Sequence, residues 1–419
     1  MAENSPITSY RVMDESMKAY VARQPIFNRK KRVKAYELLF RDGLLNSFPR
    51  SHREYATSRL LSDSFMTIGI ERLAGGRKAF INFTGDLLTD GIPFMFPADK
   101  IVVEVLEDVK IRKEVIEACC ELVDEGYEIA LDDFNYSPSL EPLFPLASVI
   151  KIDFRATPND LIKLYVEKLS GFSVKFLAEK VETYEEFQTA LTMGFDYFQG
   201  YFFSKPQVIS QKDISPSRLN LLRIMAEVNK EDFKFEELEK LIRRDVSISY
   251  KLLRYINSAY FRRLKEISSI KQAIILLGEM GIRRFLSLIT MSRLASDKPD
   301  ELIRTSIIRA RLCEQLGKLS PADVDTSELF TLGLFSLIDA LLDNHMENVM
   351  EDLPLSQSIK AALIERKGKL AGFLELTKAY EAGQWEKVVN LAEGLGISEE
   401  KIPEYYLDAV TWADSYAML

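Results

Sequence analysis

Between Ala19 and Pro206 short apolar runs alternate with longer amphipathic stretches, and nearly every run ends abruptly on an acid or an amide. The runs occupy residues 20–27, 33–40, 79–83, 101–106, 128–131, 149–152, 174–177 and 197–203. Their length and their β-branched and aromatic content predict strands, whereas Ile111, Val115, Ile116, Cys119 and Leu122 recur at helical spacing. Strand and helix alternating in this way imply a parallel sheet, either open and doubly wound or closed as a (β/α)8 barrel. Eight strand candidates favour the barrel.

After residue 206 the strand rhythm stops. Residues 207–217, with Pro216, read as a linker. Helical periodicity then runs through 219–228, 235–243, 248–256, 270–277, 282–294, 303–316 and 329–342. The chain therefore divides into 1–206 and an all-α domain, 207–419. Gly278-Glu279-Met280-Gly281, followed by Arg283 and Arg284, has the outline of a DNA-reading helix-turn-helix, and equally of a tight connection between core helices. Glu279 and the acidic chain favour the second. Residues 379–388 resemble one tetratricopeptide unit, but a stable array needs about three. Trp385 is accordingly expected in the core, and Trp412 is expected to dock the terminal helix.

Composition narrows the function. Hydrophobic content of 47% and aromatic content of 11% belong to a folded globular chain. With 63 acids against 55 bases, a net charge of -8 and interspersed signs, binding of nucleic acid through its phosphates is not expected. Cys119, Cys120 and Cys313 make no disulfide framework, residues 1–8 lack the basic and apolar regions of a signal peptide, and no apolar run is long enough to span a bilayer. A soluble protein of the cytoplasm, with no membrane partner, is the expectation. The only histidines are His52 and His345, too few for a multi-histidine zinc or histidine-aspartate phosphohydrolase centre.

Barrel enzymes place their chemistry at the C-terminal ends of the strands. Those ends here carry Glu37, Asn82, Glu104, Asp132 with Asp133, Lys151 with Asp153, Glu179 with Glu182, and Gln199. Singly, each suits a cap, a turn or a solvated surface. Converging at one mouth, they form a hard, all-oxygen site suited to two Mg²⁺ or Mn²⁺ ions. Two such ions about 3.5–4 Å apart activate water and polarise a phosphate oxygen, so the reaction class is metal-assisted phosphodiester hydrolysis. Lys151 suits orientation of the attacking water or neutralisation of developing charge.

The ordered motifs Gln24-Pro25-Ile26, Glu37-Leu38-Leu39-Phe40-Arg41, Asn82, Val102-Val103-Glu104-Val105-Leu106-Glu107, Asp132-Asp133-Phe134, Lys151-Ile152-Asp153, Glu179-Lys180-Val181-Glu182 and Gln199-Gly200-Tyr201 resemble the EAL domain of bacterial cyclic di-GMP phosphodiesterases. The resemblance implies a modified TIM (β/α)8 barrel that opens cyclic di-GMP to pGpG at a two-metal centre. It implies Glu37, Asn82, Glu104 and Asp132 as ligands of the first metal, and Asp132, Asp133 and Glu179 as ligands of the second. Lys151 would orient the nucleophilic water, with Glu37, Glu179 and Gln199 completing the catalytic set. Gln24, Arg41, Asp153 and Pro206 would hold the dinucleotide, and a homodimer through the barrel is implied. Phrases of the second half, among them Leu252-Leu253-Arg254-Tyr255-Ile256-Asn257 and Ile267-Ser268-Ser269-Ile270, resemble the HDOD domain, which looks like an HD phosphohydrolase without its metal ligands. Gly333-Leu334-Phe335-Ser336-Leu337 stands where that hydrolase would carry histidine and aspartate. An all-helical HDOD domain that binds a protein partner or regulates the barrel is the expectation.

Three departures bear on turnover. Leu38 stands where the family has alanine and is expected to crowd the floor of the site. Residues 135–139 lack the family's glycines and contain Pro138, in a loop that active members use to couple metal occupancy to dimerisation. Lys180 replaces a glycine beside Glu179. A phosphodiesterase is expected, with a catalytically silent cyclic di-GMP receptor as the alternative and a pure scaffold as the third reading.

Overall fold

The computed structural model describes residues 20–41, 70–205, 246–257, 267, 269–294, 298–353 and 355–417. Its first half closes into a barrel of eight strands that follow one another round the wall in chain order. They are β1 (Tyr20–Asn28), β2 (Val33–Arg41), β3 (Lys78–Phe83), β4 (Ile101–Val105), β5 (Glu128–Leu131), β6 (Ala147–Asp153), β7 (Lys175–Glu179) and β8 (Tyr197–Gln199). Strands β2 to β8 run parallel, but β1 is antiparallel to both β2 and β8. The wholly parallel sheet expected from strand–helix alternation is corrected at this strand. Between β1 and β2 lies only a short turn, in which Lys31 takes φ 57 and the Asn28 side chain accepts from the backbone N–H groups of Lys30 and Arg32. A parallel pair needs a crossover of a dozen or more residues, so this turn dictates a hairpin.

The last apolar run is strand only as far as Gln199. Gly200, at φ 138, turns the chain into one 3-10 turn, Tyr201–Ser204, and a Cβ there would be driven onto the Val181 carbonyl. Outside the barrel lie α1 (Ile70–Ala74), α2 (Gly85–Thr89), α3 (Lys113–Asp124), α4 (Asn159–Leu169) and α5 (Tyr184–Thr192). Helix α3 buries Val115, Cys119 and Leu122, the stripe its periodicity predicts. Thr183 and Glu186 close a capping box that fixes the start of α5 directly after Glu182. Period two sorts the strand side chains into an outer layer against these helices, including Ile81, Val103, Ile129, Ile150 and Phe176, and an inner layer of Ile26, Ala35, Phe80, Val102, Ala130, Val149 and Leu177.

The second half is helical where it is described: α6 (Val246–Ile256), α7 (Ile270–Leu294), α8 (Asp300–Leu319), α9 (Thr326–Phe335), α10 (Ile338–Leu342), α11 (Met346–Asp352), α12 (Gln357–Ile364), α13 (Ala371–Glu381), α14 (Trp385–Gly394) and α15 (Ile402–Ala417). The linker and the helices expected at 219–228 and 235–243 lie outside the described residues. Helix α8 is the central element, buried along most of its length. The helix expected over 329–342 is two, divided where Ser336 caps α9 by donating back to the Gly333 carbonyl. Helix α7 breaks at Gly278 (φ 67, ψ 178). Beyond the break Arg283 bonds Glu279 and Arg284 bonds the buried Glu314, so both arginines are engaged by the protein's own carboxylates. Gly278 to Gly281 is thus a connection between core helices. Trp385 meets Tyr20 and Tyr380 edge-on at centroid distances of 6.2 and 5.3 Å, and Trp412 is buried against Phe330. Among the described residues no helix is long and apolar enough to cross a membrane.

The halves meet on the β1–β2 ribbon. Its pairs Arg23↔Leu38 to Tyr20↔Arg41 continue past Gln24↔Glu37, carrying the ribbon beyond the barrel mouth. Tyr20 and Ala22 enter the core of the helical half, and Leu39 packs against Gly383. Below them the Tyr36 hydroxyl donates to Glu301 Oε2 at 2.8 Å and accepts from Arg304, which also pairs with Asp414.

Candidate active site

Two residues beyond each inner-layer side chain, on the same face of its strand, stands a polar one. Phe80 is followed by Asn82, Val102 by Glu104, Ala130 by Asp132, Val149 by Lys151, Leu177 by Glu179, and Ala35 by Glu37. Because β1 runs the other way, Gln24 precedes Ile26. Alternation thus lays a polar tier directly upon an apolar floor. The fully buried Lys151 is its hub, with Nζ 2.5 Å from Glu104, 2.7 Å from Asp132, 2.9 Å from Glu179 and 3.6 Å from Glu37. Gln199 Nε2 donates to Glu37 Oε2 at 2.5 Å and to Gln24 Oε1 at 2.9 Å, tying β8 to the ribbon.

Four carboxyl groups crowd around one ammonium, and burial shifts their proton affinities. Burial drives Glu104 well above the usual carboxylate range, with Lys151 opposing and Glu37 and Asp132 adding to the rise. Burial likewise pushes Glu179 up to about 8. For Lys151 burial alone would favour the neutral amine, but Glu104, Glu37, Glu179 and Asp132 outweigh it and hold the ammonium well above its ordinary value. Asp133 leaves the strand at φ 36, and Asp132 and Phe134 anchor the turn by donating to the carbonyls of Val105 and Lys151. The paired aspartates therefore do sit where strand gives way to loop.

Asn82 Oδ1, Glu104 Oε2 and Asp133 Oδ1 are buried with no hydrogen-bond partner. Orphaned buried oxygens are rare in folded proteins and point to a missing partner. Among the described residues no three acids, imidazoles or thiolates stand spaced as a closed metal cage, since the acids are drawn onto Lys151. The donor set nevertheless fits hard divalent cations: all oxygen, net negative and incompletely satisfied.

Sequence models of the EAL domain and the HDOD domain match residues 71–206 and 217–373. The chain is 38% identical over 403 residues to the cyclic di-GMP phosphodiesterase CdgJ of Vibrio cholerae, covering 96% of this chain and 93% of that one. The chain belongs to the EAL–HDOD family. The protein YuxH of Bacillus subtilis is also 38% identical, over 404 residues, covering 94% of this chain and 98% of its own. Among solved structures, the manganese and cyclic di-GMP complex of Klebsiella pneumoniae BlrP1 aligns with 45% of this chain and 56% of its own, at 24% identity and TM-score 0.39. The PaMucR phosphodiesterase complex with cyclic di-GMP aligns with 44% of this chain and 95% of its own, at 20% identity and TM-score 0.37.

Not every expected site residue of the EAL half joins the tier. Asp153, at the end of β6, accepts from the backbone N–H groups of Arg155 and Ala156 at 2.9 and 2.8 Å and from Lys180 Nζ at 2.6 Å. Burial alone would raise its carboxyl, but these bonds hold it below the ordinary range. Glu182 turns away to Arg155 and Lys205. Arg41 closes the ribbon opposite Tyr20, and Pro206 lies outside the described residues. The expectation that Leu38 crowds the floor is corrected: its neighbour Glu37 faces inward, so Leu38 faces outward and is buried in the outer layer. The loop after Asp133 is held by Tyr165, whose hydroxyl donates to Asn135 Oδ1 at 2.8 Å, and runs into a 3-10 turn, Pro138–Leu143.

In the HDOD half, Arg309 fills the neighbourhood of Ser336, donating to its Oγ at 3.3 Å and to Glu381 at 2.8 and 2.9 Å. A guanidinium paired with a carboxylate occupies the region where the sequence lacks the hydrolase histidine and aspartate. Asn257 clips the end of α6 by accepting from the Ile267 N–H and donating to the Ile267 and Leu253 carbonyls. Sequence reasoning missed Arg23 and Tyr36. Arg23 is buried, donates to the Leu73 carbonyl at 2.7 Å and lies 4.5 Å over the Tyr36 ring. Its signal was an arginine inside the first apolar run.

Proposed function

We propose that the EAL half hydrolyses cyclic di-GMP to pGpG with two divalent ions, Mg²⁺ or Mn²⁺. The HDOD half serves as its regulatory or partner-binding module in the cytoplasm. The observation that carries the reading is the gathering of Glu37, Glu104, Asp132 and Glu179 within 3.6 Å of a single buried ammonium, beside buried oxygens that lack hydrogen-bond partners. Overall identity of 38% to a cyclic di-GMP phosphodiesterase supports cyclic di-GMP as the substrate. Glu37, Asn82, Glu104 and Asp132 would hold one ion, and Asp132, Asp133 and Glu179 the other. When bound, such a pair supplies acidified water as nucleophile and charge against the phosphate oxygens.

The chain's own residues do the rest. Lys151, held charged by its carboxylates, gives the tier a fixed donor for the attacking water. Gln199 positions Glu37 and Gln24 together, and Gln24, Arg41, Asp153 and Pro206 would meet the dinucleotide. The helical half has no histidine–aspartate pair at Ser336 and acts through contacts: to the barrel by the ribbon, and to a protein partner. A homodimer through the barrel completes the reading.

The receptor alternative is favoured by one feature, the Lys180 ammonium lodged between Asp133 and Asp153. Purified protein with Mg²⁺ or Mn²⁺ should convert cyclic di-GMP to pGpG, and Asp132→Asn should slow turnover by at least roughly a hundredfold. Tight binding without product in either metal would sink the hydrolase and leave the receptor.

A further inference from the structure

Lys180 has a backbone conformation that ordinary residues avoid. It lies at φ 55, in the left-handed region, directly after Glu179. The turn is locked on both sides, since the Glu179 carbonyl accepts from the N–H of Phe154 and the N–H of Val181 donates to the Gln199 carbonyl. Held this way, the side chain reaches back over the mouth, with Nζ 2.6 Å from Asp153 Oδ2 and 3.7 Å from Asp133 Oδ1. That Asp133 oxygen is the buried one with no hydrogen-bond partner. The lysine side chain is otherwise 57% exposed, so solvation did not require it to fold inward.

We propose that Lys180 is a tethered competitor for the second cation, making the two metal positions of this chain unequal. The inference rests on the metal-centre reading above. Asp133 is a donor to the second position only, whereas Glu37, Asn82 and Glu104 lie on strands that Lys180 does not touch. A divalent ion taken up by Asp133 and Glu179 brings like charge within a few ångströms of Nζ. The ammonium must then release Asp133 or bear the repulsion. Either course weakens the second ion, and the exposure of Lys180 limits the effect to about tenfold in affinity through solvent screening. The first ion, whose further donors Glu37, Asn82 and Glu104 belong to other strands, is affected less.

Mn²⁺ titration of the full chain, with free Mn²⁺ read by its paramagnetic resonance, tests this without turnover. The wild type should take up one ion tightly and a second at least about tenfold more weakly. Lys180→Met, which keeps the length and backbone strain but drops the charge, should tighten the weaker position by about tenfold, and so should Lys180→Gly. Lys180→Arg should leave it weak. Two equal positions in the wild type, or a Lys180→Met titration that matches wild type, overturns the inference and leaves the metal centre standing. Tightening in Lys180→Gly alone also overturns it, because relief of backbone strain and not charge would be the cause. Absence of Mn²⁺ uptake by all four proteins overturns the metal-centre reading itself, and this inference with it.

Discussion

Lys151→Met removes the cation that touches four carboxylates, and its consequence can be worked from the distances. At 2.5, 2.7, 2.9 and 3.6 Å each pair carries a gross attraction of about 5–7 kcal/mol at an effective dielectric of about 20. Most of that offsets the desolvation of whichever of these groups carry charge, several kcal/mol apiece. What is lost on removing one partner is the compensation of buried charge, about 3–5 kcal/mol. At about 2–4 °C per kcal/mol for a domain of this size, the melting temperature should fall by about 6–20 °C. The sign with pH follows from Glu179, which burial pushes up to about 8. A carboxyl whose folded value exceeds its unfolded one binds more protons folded than unfolded between the two, so metal-free stability declines as pH rises from about 4.5 to about 8. Without Lys151 that decline steepens, and the deficit should be greatest near ~pH 8 and least near ~pH 5. Circular-dichroism melts in EDTA measure it, and millimolar Mn²⁺ should restore part of the loss by binding only the folded state. A variant that melts within about 2 °C of wild type at ~pH 8 in EDTA would refute the charged tier.

Two further substitutions probe the frame around the tier. Gly200→Ala places a Cβ onto the Val181 carbonyl at a φ that only glycine adopts readily, and should cost about 3 kcal/mol or more, seen as a lower urea midpoint. An unchanged midpoint would mean that the β8 turn is not as closely packed as described. Arg304→Ala strips Tyr36, Glu301 and Asp414 of their shared cation, and should cost about 3 kcal/mol at the interface between the halves. Trp385 fluorescence, which reports contact with Tyr20, should then change at lower urea than the far-ultraviolet signal, whereas coincident transitions at the wild-type midpoint would count against the coupling.

The tier was legible because two periodicities coincide. Each strand of the barrel wall is apolar on its inner face until one abrupt polar residue, as from Phe80 to Asn82 or from Val102 to Glu104, and that step is visible without a structure. The reversal of β1 was not, because its turn carries Lys31 at positive φ where a hairpin usually advertises glycine. The outward placement of Leu38 was available from alternation once Glu37 was placed inward, and the expectation failed by treating the triplet as a motif instead of as a strand. Tyr36 and Glu301 are 265 residues apart in sequence, and no local pattern reports such a bond. The break at Gly278 was visible as glycine, but its role depended on Glu314, 30 residues beyond Arg284.

Strand β2 gives the two halves a common mechanical element. Alternation turns Tyr36 outward to Glu301 and Arg304 of the HDOD half, while Glu37, the next residue, turns inward to Lys151 and Gln199. A planar peptide joins them, so the HDOD half cannot displace Tyr36 without moving the Cα of Glu37. On the partner strand Ala22 is buried in the helical core and Gln24, two residues on, accepts from Gln199. The ribbon is not the sole hold: Arg72 of α1 donates to the Thr411 hydroxyl of α15, and Phe203, just after β8, packs against the helical core. The strands bearing Glu104, Asp132, Lys151 and Glu179 are held by their own barrel neighbours. Of the four contacts to Lys151, that of Glu37 is the longest, at 3.6 Å. Through Tyr36 the helical half thus bonds the residue adjacent to Glu37, one of the four carboxylates around Lys151.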